Sequence, residues 1–205
     1  GKVEIETIPF DLHALLHTSV AQFRCETSNK TVRMQVETPL NVPLYVMGDP
    51  TRLQQVITNL LSNSLKFTAQ GLVQLSATLL EPWLIRFSVS DSGIGMSDSQ
   101  AENIFERFVQ ADSSITRRFG GTGLGLSISQ QLVGQMGGEI GVESEPDAGS
   151  LFWFDINLPQ HTLSENLDSG PDSLTKEPKA AHILVAEDNP INRLVVSKLL
   201  NRLGH

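Results

Sequence analysis

A single cysteine, Cys25, stands in 205 residues, so no internal disulfide can form, and no pair of cysteines or histidines has zinc-finger spacing. Both facts fit a reducing cytoplasm, and Cys25 inside a helical stretch reads as a small core residue. Long apolar runs are missing too. Nothing approaches the ~20 residues that cross a bilayer, so this segment is expected to make no direct membrane contact. Positive charge is scarce: 15 Lys and Arg against 23 Asp and Glu give a formal net charge of -8. Without an excess of cations to neutralise phosphates, the charge argues against general affinity for nucleic acid or anionic membrane, while leaving room for local basic clusters. Internal repeats are absent. There is no initiating methionine and no signal-like segment, and the chain runs from Gly1-Lys2 to Leu203-Gly204-His205, so it reads as an excised segment of a longer protein.

What is present suits one good-sized domain and a fragment, with 40% hydrophobic and 19% charged residues. Val3, Ile5 and Thr7 alternate with charged residues, predicting a strand that Pro9-Phe10-Asp11 breaks; Asp11 then caps a helix carrying Leu12, Leu15, Leu16, Val20 and Phe23. Residues 31–37 and 44–47 read as strands. Asp49-Pro50 opens a helix to Phe67. Residues 71–80 and 83–90 form an antiparallel hairpin that delivers Asp91, and Ser97 caps a short helix ending at Phe108. Residues 109–119 are polar and without period, hence a loop. Residues 123–136 are helical, closed by Gly137-Gly138, and 139–144 with 151–158 flank a Pro146–Gly149 turn as a final hairpin. The expected assembly is α+β: a two-layer α/β sandwich, one mixed sheet with helices packed on one face. Residues 160–181 have linker composition, and 182–186 begin a strand followed by an amphipathic helix.

Four segments carry the chemistry. On the helix ending at Phe67, Arg52, Asn59, Asn63 and Lys66 project to one side while Leu53, Ile57, Leu60 and Leu61 point to the other. Amide oxygens are hard neutral ligands suited to Mg2+, with Lys66 adding a cation near phosphates, although an ordinary solvated helix face carries the same stripe. Asp91-Ser-Gly93-Ile-Gly95 follows a strand, with glycines that let backbone approach closely. Its ionised carboxylate only accepts hydrogen bonds, so it can take an adenine amine and rejects a purine carbonyl; the bare triplet is also an ordinary turn. Phe105-Glu-Arg-Phe108 supplies an aromatic hinge. Gly120-Gly121-Thr122-Gly123-Leu124-Gly125 enters a helix, where unpaired N–H groups favour phosphate, or serves as a hinge. Glycines so dense at a helix start cost about 1 kcal/mol each relative to Ala, which argues for close ligand approach.

In this order the segments resemble the N box, the two glycine boxes and the F box of the histidine-kinase catalytic domain, in the superfamily of gyrase, mismatch-repair and chaperone ATPases with its Bergerat-type fold. The resemblance covers residues 1–159. It implies ATP and Mg2+, with Asn63 as metal ligand and Asn59 assisting, Phe67 near the adenine unless it is a core or helix-end residue, and Gly93, Gly95, Gly121, Thr122, Gly123, Leu124 and Gly125 around the nucleotide. Arg117 or Arg118 is the expected lid cation on the terminal phosphate.

Hydrolytic relatives carry a glutamate general base four residues before the metal-binding Asn. Here that position is Asn59, which cannot take a proton from water at neutral pH and favours a kinase over an ATPase. An ATP-hydrolysing or purely nucleotide-sensing relative is the alternative. The five histidines, His13, His17, His161, His182 and His205, lie outside any context resembling the phosphoacceptor motif. The acceptor is therefore expected on a dimerisation and histidine-phosphotransfer domain outside this chain, in a homodimer when intact. His182 to Pro190, with Glu187 and Asp188, resembles the opening of a response-regulator receiver domain, so 182–205 reads as a truncated receiver and the whole as part of a hybrid sensor kinase. Its place is the cytoplasmic side of a membrane-anchored bacterial sensor.

Overall fold

A computed structural model describes residues 5–23, 31–106 and 124–161, all within one unit, Gly1–Leu163. The rest of the expected linker 160–181 and the receiver-like segment 182–205 lie outside the described residues. Among the described residues no helix is long and apolar enough to cross a membrane.

The elements run β1 (Ile8–Asp11), α1 (Leu12–Ala21), β2 (Thr31–Glu37), β3 (Tyr45–Gly48), α2 (Pro50–Phe67), β4 (Gln70–Glu81), β5 (Leu84–Asp91), α3 (Asp98–Asn103), α4 (Gly125–Gln135), β6 (Glu139–Glu145) and β7 (Gly149–Asn157). A five-stranded sheet has the order β2-β4-β5-β7-β6. The β2–β4 pair is parallel and the others antiparallel, which makes the sheet mixed.

Strand alternation separates the two faces of this sheet. Val73, Leu75 and Ala77 of β4, Ile85, Phe87 and Val89 of β5, and Phe152, Phe154 and Ile156 of β7 turn into the core. Phe87 stacks on Phe154 with ring centroids 5.0 Å apart. The opposite face is polar: Arg86 makes a two-point bond to Asp155 at 2.7 and 2.8 Å and lies 4.3 Å over the Trp153 ring.

Helix α2 closes the core. Asp49 caps it, Oδ1 accepting the Arg52 N–H at 2.9 Å, and Pro50 sits in the first turn where no N–H is needed. Leu53, Val56, Ile57, Leu60, Leu61 and Leu65 are buried along one side, each contributing about 1.5–3 kcal/mol. The expected span to Phe67 is the one observed.

The first strand is displaced from its expected place. It falls at Ile8–Asp11 and includes Pro9, whereas Ile5 to Thr7 is not strand. Among the described residues β1 pairs only with β3, in a separate two-stranded sheet, so Pro9 can occupy an edge where its missing N–H costs nothing. On its other side β3 holds the chain leaving β7: Met47 N–H donates to Pro159 O and His161 N–H to Tyr45 O, both at 2.8 Å. Incoming and outgoing chain thus share one strand, which leads through Asp49 into α2. Asp49 Oδ2 also accepts the Glu6 N–H at 3.1 Å.

Candidate functional site

β5 ends at Asp91 because the Ser92–Met96 loop turns away there, and both carboxylate oxygens are engaged. Oδ1 accepts the Gly93 N–H at 2.9 Å and Oδ2 accepts the Ser64 hydroxyl at 3.0 Å. Burial raises the Asp91 pKa above the usual carboxylate range, and the bonds from Gly93, Ser64 and the Ser150 backbone pull it only part of the way back. The Thr68 hydroxyl is close enough to add a weak downward pull, yet it completes no hydrogen bond and is buried without a partner.

The loop after Asp91 is pinned at both ends. Ile94 N–H donates to Phe67 O at 3.4 Å, and a Cβ on Gly93 would lie 2.6 Å from that same carbonyl and 2.8 Å from Asp91 Oδ1. At Gly95 φ is +62°, and a Cβ there would overlap the Glu145 carbonyl. Ser144, which sequence reasoning passed over, accepts the Met96 N–H at 2.9 Å and donates to Gly149 O at 2.8 Å, while Asp147 N–H donates to Ile94 O at 2.8 Å. The β6–β7 turn therefore clamps the loop that carries Gly93 and Gly95.

Along α2, Asn59, Asn63, Lys66 and Phe67 are all half-buried, unlike the core residues opposite them. The two asparagines differ. Asn59 Nδ2 donates to the buried Ser129 hydroxyl at 2.8 Å, and its Oδ1 would be 2.5 Å from a Cβ on Gly125. Gly125 is thus small because α4 packs against α2, a reason that needs no ligand. Asn63 has no partner among the described residues and keeps both amide atoms available. Lys66, in the last turn of α2, lies 5.0 Å over the Phe67 ring.

α4 begins at Gly125 with Leu124 before it and no side-chain cap, so its leading N–H groups are unclaimed by a capping side chain. Arg117, Arg118, Gly121, Thr122 and Gly123 lie outside the described residues. A groove of about 730 Å³ between α3 and the β6–β7 hairpin reaches Asp91 at the end of β5, and its far side carries Asp98, Glu102, Glu143 and Glu145, carboxylates that would repel phosphate. Asp91, the close-packed Gly93, the Thr68 hydroxyl and Asn63 are the groups here whose chemistry would suit a nucleotide. Ser64 and Thr68 escaped sequence reasoning. Their signal was a polar residue set into the apolar side of α2, between Leu61 and Leu65, and repeated four residues on.

Residues 48–160 match the family of histidine kinase-, DNA gyrase B- and HSP90-like ATPases. The chain belongs to this family. It is 43% identical over 208 residues to the sensor histidine kinase GacS of Pseudomonas protegens, a match covering 100% of this chain and 22% of that protein. It is 44% identical over 162 residues to the signal transduction histidine-protein kinase BarA of Escherichia coli, covering 77% of this chain and 18% of that one. Full-length ShkA in complex with AMPPNP superposes with a TM-score of 0.72 at 31% identity, covering 79% of this chain and 33% of ShkA. The catalytic domain of histidine kinase ThkA superposes at 0.64 with 29% identity, covering 74% of this chain and 95% of that domain. The chain spans about a fifth of the length of these curated relatives. As a member of the ATPase family it has the expected mixed sheet, with helices over its apolar face.

Proposed function

We propose that this chain is the ATP-binding catalytic domain of a hybrid sensor histidine kinase and supplies the γ-phosphoryl group of ATP to a histidine on a separate dimerisation domain. Three groups support a nucleotide. Asp91 offers an acceptor-only carboxylate where an adenine amine needs one, Asn63 an uncommitted amide oxygen for Mg2+, and the start of α4 backbone N–H groups for phosphate. Mg2+, when bound, neutralises phosphate charge during transfer. Lys66 adds a positive charge at the same end of α2, and any lid role of Arg117 or Arg118 belongs to this reading.

The observation that carries kinase over hydrolase is Asn59. It occupies the position where hydrolytic relatives hold a general base, has no ionisable group, and its amide is tied to Ser129. The reading extends to a homodimer formed through the histidine-bearing domain, to a receiver domain as the next acceptor, and to a cytoplasmic site. ThkA is known in complex with the response regulator TrrA, a partnership of the kind proposed here. Incubation of the chain with γ-labelled ATP, Mg2+ and a separately supplied acceptor-histidine domain should place acid-labile label on that domain. Rapid phosphate release with no labelled histidine would overturn the kinase reading in favour of an ATPase.

A further inference from the structure

Thr68 ends α2, its N–H donating to Ser64 O at 3.0 Å. The residue is 1% exposed and its Oγ1 has no partner. A buried hydroxyl left unpaired costs about 1–3 kcal/mol, and a valine of the same shape would avoid that cost. Among the described residues the hydroxyl exerts a weak pull on the Asp91 carboxylate without completing a hydrogen bond, which is not a full reason for a hydroxyl here.

Its position supplies one. Ser64, four residues earlier, donates to Asp91 Oδ2 at 3.0 Å, and the Thr68 hydroxyl lies close enough to the same carboxylate to pull on its proton. The neighbouring Phe67 carbonyl accepts Ile94 N–H from the loop after Asp91, which fixes this end of α2 against that loop. Among the described residues two other side-chain atoms are orphaned, Thr38 Oγ1 after β2 and Gln135 Oε1 at the end of α4.

An acceptor-only group and a free donor side by side form a reading frame. A purine edge with an amino group next to a bare ring nitrogen presents a donor and then an acceptor, which complements Asp91 and Thr68. A purine edge with a carbonyl next to a ring N–H presents the reverse order and meets both groups with the wrong polarity. We infer that Thr68 Oγ1 is a second nucleobase-reading group that donates, directly or through one bound water, to the adenine ring nitrogen beside the amine held by Asp91. The inference rests on the ATP-binding reading above and adds to it a residue that sets adenine against guanine.

The test compares the whole chain with Thr68→Val and Thr68→Ser by calorimetry. The ligands are ATP and an ATP analogue in which the ring nitrogen beside the amine is replaced by C–H, and melting of the free proteins is recorded alongside. Thr68→Val should weaken ATP by roughly five- to tenfold, the effect of one hydrogen bond. It should leave binding of the analogue unchanged and melt no lower than wild type. Thr68→Ser, which keeps the hydroxyl, should bind ATP as wild type does. Should the valine variant fail to fold, Thr68→Ala against Thr68→Ser carries the same comparison between the two ligands. Unchanged ATP affinity in the valine variant, or equal losses for ATP and the analogue, would overturn the role of Thr68 while leaving the ATP site standing. A wild-type chain that binds neither ligand would overturn the ATP-binding reading itself.

Discussion

Single residues at this site divide by whether the fold has already used them. Asp91→Asn should weaken ATP by about 1.5–3 kcal/mol, the scale of a hydrogen bond to a charged group, since an amide places a donor where the adenine amine needs an acceptor. The fold should tolerate the change, because the Ser64 hydroxyl can turn to accept from the new amide and a buried charge is removed. Calorimetry and melting on one preparation separate the two effects. The raised Asp91 pKa fixes the sign with pH: the folded chain holds this proton more tightly than the unfolded chain. The stability from the protonated form is present below the ordinary carboxylate value and is lost as pH rises through the folded one. ATP needs the ionised form, so its affinity should fall as pH drops toward that raised value. Asn63→Ala should abolish the dependence of nucleotide affinity on Mg2+ with little change in melting. Asn59→Ala should lower stability by about 1 kcal/mol through loss of its bond to Ser129, as thermal melting would show. Equal melting temperatures for the two variants would show that the asparagines do not differ in this way.

At the scale of elements, α2 was legible from end to end because cap, first-turn proline and apolar period all agree, and Asp49 and Phe67 mark its limits as observed. β1 was not. Alternation at Val3, Ile5 and Thr7 resembles a strand locally, but strands form where a partner edge exists, and among the described residues β3 pairs with Ile8–Asp11 and not with residues 5–7. At Gly125 the local pattern gave only half the picture. A glycine at a helix start suggests ligand approach, and the structure adds a contact with Asn59 from a helix distant in sequence, which no local pattern shows. The β6–β7 turn was legible through Pro146 and Gly149, but its hold on the Ser92–Met96 loop was not, since the Ser144 bonds span it and the loop. Gly95→Ala tests that hold. With φ at +62° and the Glu145 carbonyl in the way, the change should destabilise the fold by about 2 kcal/mol or more and weaken ATP with it. A variant that melts like wild type would mean the loop is free of the hairpin.

At the scale of the whole molecule, the apolar alternation and turn residues gave the layer architecture, whereas the parallel β2–β4 pairing joins strands separated by β3 and α2 and had no local signature. Of the candidate site, Asn63 and Asp91 could be singled out in the sequence because they belong to unusual residues in a fixed order. Ser64 and Thr68 are common hydroxyls, and only their neighbours in space draw them to the Asp91 carboxylate. β3 pairs with residues 8–11 on one side and bonds residues 159–161 on the other, and it leads through the Asp49 cap into the helix that carries Asn63. The proposed ATP site with its Mg2+ requirement is tested by calorimetric titration of the chain with ATP, with Mg2+ and again with the metal chelated. Saturable binding with Mg2+ that is markedly weaker without it, and much weaker for GTP in either condition, is the expected result; no heat with ATP and Mg2+ under native conditions, or equal affinity for ATP and GTP, would contradict it.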